Sequence, residues 1–184
     1  CNFCAIQLHQ GRRVTSRSAD SIVAEAERMT HEPDFKGYIH DIGGPTANFR
    51  FPSCREQMLR GMCNGGKHCL APQTCSHMIV DHSDYLKILR RVRELPGVKK
   101  VFIRSGIRFD YLMADPDDTF FKELVEYHVS GQLKVAPEHC APNTLAYMGK
   151  PPIETFNKFK DKFYELSKKA GKKQYLVPYL MSSH

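Results

Sequence analysis

The chain has 184 residues, of which 41% are hydrophobic and 26% are charged, and this composition is typical of one globular domain. No apolar run approaches the ~20 residues of a membrane span, and seven cysteines, an odd number, argue against a secreted disulfide framework, so reduced thiols in a cytoplasm are expected. The net charge of +7 suits either a nucleic-acid surface or cationic helix ends that face water, and we favour the second interpretation for the clusters Arg12-Arg13, Arg90-Arg91-x-Arg93, Lys99-Lys100, Lys168-Lys169 and Lys172-Lys173.

Apolar periodicity predicts helices and strands that alternate along the chain. Each predicted helix has apolar residues at helical spacing, and each predicted strand is a short apolar run closed by glycine, proline or polar residues. The stretch 46–82 shows no such pattern and is expected to be an irregular insert. In order, the pattern predicts a helix from near Ser18 and a strand at 37–42, a helix from Ser83 and a strand at 101–103, a helix from Asp115 and a strand at 133–136, and a helix around 156–166 and a strand at 175–180.

Two of these helices have recognisable termini. Asp115 is predicted as the N-cap of the third helix, with Pro116 at its first position. In the fourth helix, phenylalanines recur at helical spacing and are predicted to belong to the core. Gly171 suits the position just after the end of that helix.

The alternation predicts an α/β fold with a parallel sheet built from crossover units. In such folds the chemistry lies beyond the carboxyl ends of the strands. Polar or glycine-rich segments follow every predicted strand, so we expect them to converge on one rim. These segments are Gly43-Gly44-Pro45-Thr46, Ser105-Gly106-Ile107-Arg108, Pro137-Glu138-His139 and Ser182-Ser183-His184.

The chain opens with Cys1-Asn2-Phe3-Cys4. This C-x-x-C has the form of the end of a C-x-x-x-C-x-x-C loop, in which three thiolates hold a four-iron cluster and leave one iron open. An open iron can chelate S-adenosylmethionine and pass it an electron. By itself the C-x-x-C also fits half of a zinc site or a redox dithiol.

Several ordered motifs together resemble the YgiQ-type radical SAM proteins. The resemblance covers nearly the whole chain and implies the catalytic core of a longer enzyme, with a truncated, partial (βα) TIM-like barrel and a cysteine-rich insert. It also implies a [4Fe-4S] cluster, S-adenosylmethionine, an undefined substrate and an electron donor such as flavodoxin or ferredoxin. The motifs are Cys1-Asn2-Phe3-Cys4, Gly11-Arg12, Ser16-Arg17-Ser18, Asp41-Ile42-Gly43-Gly44-Pro45-Thr46-Ala47-Asn48, Ser105-Gly106-Ile107-Arg108-Phe109-Asp110, Lys134-Val135-Ala136-Pro137-Glu138-His139 and Gln174-Tyr175-Leu176-Val177-Pro178-Tyr179.

The resemblance assigns the first site residues to the cluster end of the cofactor. Cys1 and Cys4 match the second and third cluster cysteines, and Phe3 matches the hydrophobic residue close to the adenine. Gly43-Gly44-Pro45-Thr46 matches the glycine motif that meets the methionyl amino group, where glycine permits a close approach. The first cluster cysteine of the family has no counterpart in the chain, and two thiolates hold a four-iron cluster poorly.

The remaining rim residues are assigned to the other end of the cofactor or to the substrate. Ser105 and Arg108 would meet the ribose or the carboxylate, which a guanidinium can bind bidentately. Glu138 and His139 would contact the cofactor or move a proton on the substrate. The alternatives are a structural ion pair between Arg108 and Glu138, and a loop histidine whose hydrogen bonds are satisfied locally.

Four cysteines, Cys54, Cys63, Cys69 and Cys75, lie in the irregular insert, accompanied by His68, His77 and His82. Soft ligands crowded into a loop poor in apolar residues suggest a metal that orders it. Since no pair has zinc-finger spacing, an auxiliary iron–sulfur cluster or an irregular zinc site is expected, against free thiols on a loop. Cys140 is interpreted as a small buried residue.

Two other functions compete with the radical enzyme. The first is a zinc-stabilised basic module that binds RNA, which predicts tight zinc, no iron and salt-dependent affinity for nucleic acid. The second is an inactive structural fragment that has the fold but no metal. The polar segments after the strands and the extent of the resemblance favour the enzyme for the longer protein.

Overall fold

Helices and short parallel strands alternate along the chain in the computed structural model, which describes residues 3–11, 13–44, 46–63 and 68–182. The fold is of the mixed α/β class. A five-residue π-helix, Leu124–His128, directly continues α6. The elements are α1 Ala5–Gln10, α2 Ala19–Thr30, β1 Tyr38–Ile39, α3 Arg55–Arg60, α4 Ser83–Arg93, β2 Lys100–Val101, α5 Phe109–Met113, α6 Thr119–Glu123, β3 Gln132–Glu138, α7 Pro142–Met148, α8 Ile153–Lys169 and β4 Tyr175–Leu180.

The strands form two parallel pairs. β1 pairs with β2 in the register Ile39↔Val101, and β3 pairs with β4 in the register Leu133↔Leu176. An isolated parallel bridge, Ile107↔Val135, joins the segment after β2 to β3. Within each pair the strands are parallel and follow one another in chain order, as the crossover rule predicts. Among the described residues the strands close no barrel, and the partial TIM-like barrel stays a prediction.

One apolar core lies between the strands and the long helices. Its largest members are phenylalanines of α6 and α8; the rings of Phe121 and Phe159 stack with their centroids 5.3 Å apart. Full burial of each such side chain contributes about 1.5–3 kcal/mol. The phenylalanines predicted as core therefore do belong to it, Phe159 and Phe163 fully buried and Phe156 packed against the cluster.

The three longer predicted helices are confirmed. Ser18 caps α2, because its hydroxyl accepts a hydrogen bond from the Ser21 amide at 3.2 Å. The helix from Ser83 is α4, and the fourth predicted helix is α8. Gly171, which follows the C-cap of α8, has a φ of 66°, a left-handed conformation that glycine adopts at little cost.

The predicted start of the third helix was wrong. α6 begins at Thr119, with Asp118 in the N-cap position, and α5 occupies residues ahead of it. The Asp115 carboxylate accepts a hydrogen bond from the Asp117 amide at 2.9 Å and binds His82, so it organises a turn instead of a helix terminus. Aspartate competes for nearby backbone donors in this way, and here the tertiary contact with His82 decides.

The predicted strands are present; β4 has the predicted bounds, and the other three differ from the prediction in length. β1 is limited to two residues, although the Ile42 amide still donates to Phe102 O at 3.2 Å. β3 continues through Pro137 to Glu138. In the insert, α3 is the one regular element among residues 46–63 and 68–82. Leu70 and Val80 of the insert pack with Tyr111 in a small apolar cluster.

Candidate functional site

The segments that follow β1 and β2 contact each other at the carboxyl ends of these strands. Asp41 Oδ1 accepts hydrogen bonds from the Arg104 amide at 2.8 Å, the Ser105 amide at 3.2 Å and the Ser105 hydroxyl at 3.1 Å. Gly43 packs so closely on this turn that a Cβ added to it would lie 1.9 Å from Ser105 Oγ. Two residues predicted to bind the cofactor, Gly43 and Ser105, are thus in contact.

Further hydrogen bonds hold the two segments together. The Ala47 amide donates to Gly106 O at 3.1 Å. The Asn48 side chain brackets the Arg108 peptide, accepting from its amide at 2.9 Å and donating to its carbonyl at 3.2 Å. The Tyr85 hydroxyl donates to Ile42 O. Burial raises the pKa of Tyr85, so this hydroxyl stays protonated and remains a donor.

A cavity of about 350 Å³ opens between α2 and the segment after β1. Gly43, Gly44 and Thr46 line one side of it, and the ion pair of Arg17 and Glu25 lines another. Ser105 and Arg108 are not among its lining residues. The structure therefore gathers the glycine motif at a cavity, with Ser105 packed behind Gly43. Pro45 lies outside the described residues.

Arg108 is engaged within its own segment. Its Nε donates to Asp110 Oδ1 at 2.6 Å, and a terminal nitrogen donates to Asp110 Oδ2 at 2.8 Å. The Asp110 side chain is only 3% exposed, so this bidentate pair is largely withdrawn from water. The guanidinium does bind a carboxylate bidentately, as expected of its geometry, but that carboxylate is Asp110 and not Glu138.

Glu138 is paired with a buried lysine that sequence reasoning missed. Lys150 Nζ donates to Ala136 O at 2.6 Å and lies 3.5 Å from Glu138 Oε1. Burial lowers the pKa of Lys150, the positive charge of Arg108 acts in the same direction, and Glu138 opposes both. Glu138 adopts a φ of 72°, a conformation that non-glycine residues rarely occupy. Within the sequence, Lys150 gave no signal beyond a lysine between a glycine and two prolines.

His139 has a local role in this structure. Its Nδ1 accepts a hydrogen bond from the Ala141 amide at 2.9 Å, ahead of α7. The catalytic role of His139 stays a prediction. The adjacent Cys140 is exposed, so its interpretation as a small buried residue was wrong.

The amino-terminal site residues are described only in part. Cys4 occupies the N-cap position of α1, a six-residue helix without a buried residue, and its thiol is free and half-buried. Phe3 is half-buried as well. Cys1 lies outside the described residues, and so do Ser183 and His184.

Cys54 and Cys69 of the insert both accept hydrogen bonds from Gln57. The Gln57 amide donates to Cys54 Sγ at 3.5 Å, and Gln57 Nε2 donates to Cys69 Sγ at 3.3 Å. The Cys75 amide donates to Cys69 O at 2.8 Å, and Cys75 Sγ lies 3.8 Å from His77 Nδ1. The insert thus brings its cysteines together from separate parts of an irregular stretch.

Cys63 shares this neighbourhood. Burial raises the pKa of the Cys63 thiol, and the thiols of Cys69, Cys54 and Cys75 are close enough to raise it further. All four thiols are half-buried and form no disulfide. Within the described part of the chain, no three His, Cys, Asp or Glu side chains are arranged to hold a metal ion.

His82, at the end of the insert, belongs to a buried hydrogen-bond network instead of to the cysteines. Its Nδ1 donates to Asp115 Oδ2 at 2.5 Å, and its Nε2 accepts from Asn48 Nδ2 at 3.1 Å. The ring stacks on Phe120 at a centroid distance of 4.7 Å. Burial lowers the pKa of His82 while Asp115 opposes the shift, so the neutral ring is favoured. Through Asn48, this network connects the insert to the Arg108 peptide.

Two of the basic clusters lie at helix ends as predicted, whereas Lys99-Lys100 lies at the start of β2. Arg90, Arg91 and Arg93 lie in the last turn of α4, and Lys168 and Lys169 lie in the last turn of α8. Arg90 and Arg93 pair with Glu123, and Arg91 pairs with Asp20. These contacts neutralise part of the positive charge that a nucleic-acid surface would need. No helix among the described residues is long and apolar enough to cross a membrane.

Comparison with known proteins identifies close homologues of the chain. A UPF0313 protein of Clostridium perfringens (strain SM101) is 66% identical over all 184 residues, which make up 28% of that protein. A UPF0313 protein of Clostridium botulinum (strain Okra) is 58% identical over the same span, again 28% of its length. No protein-family model and no solved structure matches the chain. The chain therefore spans little more than a quarter of the curated relatives it matches.

Proposed function

We propose that this chain is the part of a radical S-adenosylmethionine enzyme that binds the methionine end of the cofactor beside a [4Fe-4S] cluster. The observation that carries the proposal is the contact between Gly43 and Ser105. It supports a common rim at the strand ends, which is where α/β proteins of this kind bind ligands. The YgiQ-type resemblance favours the same function, and the UPF0313 homologues contain this chain as part of a longer protein.

The available side chains suit the proposed cofactors. Cys4 supplies a free, half-buried thiol, and thiolates are the ligands of iron–sulfur clusters. Cys1 would supply the second ligand, and a third would come from elsewhere in a longer protein. Such a cluster, when bound, would supply the electron for reductive cleavage of S-adenosylmethionine and hence for radical chemistry on the substrate.

The protein groups of this rim would bind and orient the cofactor. Gly43 and Gly44 present backbone without a side chain to the cavity, where a methionyl ammonium can approach. Thr46 brings a hydroxyl to the same cavity. Asp41 fixes the Ser105 turn behind Gly43, so the position of the glycine backbone is set before the ligand arrives.

Arg108 and Glu138 would act through their partners. The bidentate contact with Asp110 leaves Arg108 as a fixed charge at the rim. Lys150 would hold the Glu138 carboxylate in place. The substrate is undefined, and the electron donor is proposed to be a flavodoxin or a ferredoxin.

The first experiment tests cofactor binding separately from catalysis. A Cβ at Gly44 meets no atom within 4 Å, so Gly44→Ala leaves the fold intact while it adds a methyl group to the cavity. We expect the Kd for S-adenosylmethionine to rise roughly tenfold in this variant, with unchanged unfolding. Equilibrium dialysis measures the Kd, and Cys140→Ala, an exposed change, serves as the control.

The second experiment tests the chemistry. The full-length natural protein that carries this chain is reconstituted anaerobically with iron and sulfide, reduced, and assayed for deoxyadenosine by mass spectrometry. We expect deoxyadenosine in the wild type and in Cys140→Ala, and its loss in Cys4→Ala. If the reconstituted protein contains zinc and no iron and forms no deoxyadenosine, the proposal is overturned. Salt-dependent binding to RNA would then identify the basic module as the better function.

A further inference from the structure

The cysteine-rich insert has too little regular structure and too little apolar burial to order itself. Among residues 46–63 and 68–82 there is one six-residue helix, α3. Apolar side chains of the insert face water: Met58 is 63% exposed, Leu59 59% and Ile79 76%. Its small apolar cluster depends on Tyr111 from outside the insert. A loop of this length needs another source of order, such as a disulfide or a metal.

Gln57 holds two of the four thiols in place. It donates to Cys54 Sγ from its backbone and to Cys69 Sγ from its side chain. Its Oε1 accepts from the Ser53 amide at 2.8 Å, which fixes the side chain. The two sulfurs, separated by fourteen residues in sequence, therefore lie on either side of one residue.

The other two thiols join the same group. The backbone of Cys75 is bonded to that of Cys69. Cys54 and Cys63 flank the short helix α3, Cys54 as its N-cap and Cys63 two residues after its C-cap Gly61. No disulfide joins any of these cysteines, all of which lie in the described part of the chain. His82 is not available to the group because Asp115 and Asn48 occupy both of its ring nitrogens.

We propose that Cys54, Cys63, Cys69 and Cys75 bind one metal centre through four thiolates. Soft thiolate ligands select zinc or an iron–sulfur cluster over harder cations. No three of these side chains are arranged to hold a metal ion among the described residues, so binding would draw the thiols together, release their protons and order the insert. The site is independent of Cys1 and Cys4, and so of the radical function proposed above.

The test uses the full-length natural protein and two probes: Zn²⁺ alone, and iron with sulfide under anaerobic conditions. Metal content is measured by mass spectrometry after desalting. We expect Cys69→Ala to lose about one metal centre per chain with one of the two probes. Cys140→Ala and Cys4→Ala should keep that centre. Because Cys4 belongs to the other proposed cluster, its variant separates failure of this site from failure of the radical function.

A second measurement on the unaltered protein covers the case in which Cys69→Ala does not fold. Iodoacetamide alkylation followed by peptide mass spectrometry reports the reactivity of each thiol. With the effective probe bound, we expect at least a tenfold slower alkylation of the four insert thiols, while exposed Cys140 reacts at the same rate. Equal alkylation with and without both probes would overturn the proposal, and so would disulfides among the four cysteines in protein purified under reducing conditions.

Discussion

Gly43 lies directly against Ser105, so that a methyl group on the glycine would be 1.9 Å from the serine hydroxyl oxygen and 3.2 Å from its Cβ. The hydroxyl cannot turn away without loss, because it donates to Asp41. Gly43 is therefore required by the close approach of two segments and not by its own backbone angles. Gly44, its neighbour, has open space around it.

This contrast makes a matched pair of variants. Gly43→Ala forces the methyl group onto the Ser105 turn, and overpacking of this kind costs about 1–3 kcal/mol in the free energy of unfolding. Gly44→Ala meets no neighbour and should change that free energy by no more than about 0.5 kcal/mol. Urea unfolding followed by circular dichroism measures both.

A double variant tests whether the collision with Ser105 is the cause. Ser105→Ala removes the hydroxyl, so Gly43→Ala should cost less in that background, by about 1 kcal/mol. Equal costs in the two backgrounds would mean that Ser105 is not the residue that excludes a side chain at Gly43.

His128 should make stability depend on pH. It is fully buried, its Nδ1 donates to Val101 O at 2.8 Å, and burial lowers its pKa to about 4. The unfolded chain has a histidine pKa near 6.5 and binds the proton more readily, so stability rises with pH in this interval. Neutral His128 therefore contributes about 3 kcal/mol to the free energy of unfolding above about pH 6.5, and this contribution is lost as the pH falls toward 4.

Urea unfolding between about pH 7.5 and about pH 4.5 measures this dependence. His128→Gln removes the titrating ring and should flatten the slope, even though the variant is less stable at neutral pH. His9→Gln, at an exposed position in α1, should retain the wild-type slope. A wild-type slope in His128→Gln would assign the pH dependence to other groups.

The sequence predicted the longer elements because their periodicity is extended. α2, α4 and α8 have 12, 11 and 17 residues, enough to show a complete apolar face. Helices α1, α3, α5 and α7 have five to seven residues, and so short a helix has no readable period. The start of α6 was misplaced because Asp115 binds His82, a partner that no local pattern reveals.

For the candidate site, the sequence predicted that the segments after neighbouring strands meet, and Gly43 and Ser105, which follow β1 and β2, are in contact. The partners of Arg108 and Glu138 were out of reach, because a bidentate contact two residues away and a buried lysine twelve residues away leave no pattern in the sequence. The gathering of the insert cysteines around Gln57 depends in the same way on tertiary structure.

Replacement of Glu138 by glycine should destabilise the protein less than replacement by alanine. Both substitutions remove the carboxylate that pairs with Lys150, so the comparison isolates the backbone. At a φ of 72°, alanine keeps the left-handed strain and glycine relieves it, a difference of about 1 kcal/mol. Glu138→Gly should therefore be more stable than Glu138→Ala in urea unfolding. The reverse order would show that the lost carboxylate leaves the segment free to abandon this conformation.

Asp115 should contribute more to the free energy of unfolding than a helix cap does. Asp115→Ala leaves the backbone amide and Nδ1 of buried His82 without their acceptor, and this costs about 2–3 kcal/mol in the free energy of unfolding. Asp117→Ala loses only a local capping contact with Thr119, worth about 1 kcal/mol.

The insert supplies a second readout for the same pair of variants. Because His82 ties the end of the insert to Asp115, Asp115→Ala should also speed limited proteolysis within residues 46–82, and Asp117→Ala should not. Asp115→Asn keeps an oxygen that can accept from the ring, so it should restore much of the protection. If Asp115→Ala and Asp117→Ala have equal costs and the same proteolysis pattern, the contact with His82 does not anchor the insert, and Asp115 contributes only to its local turn.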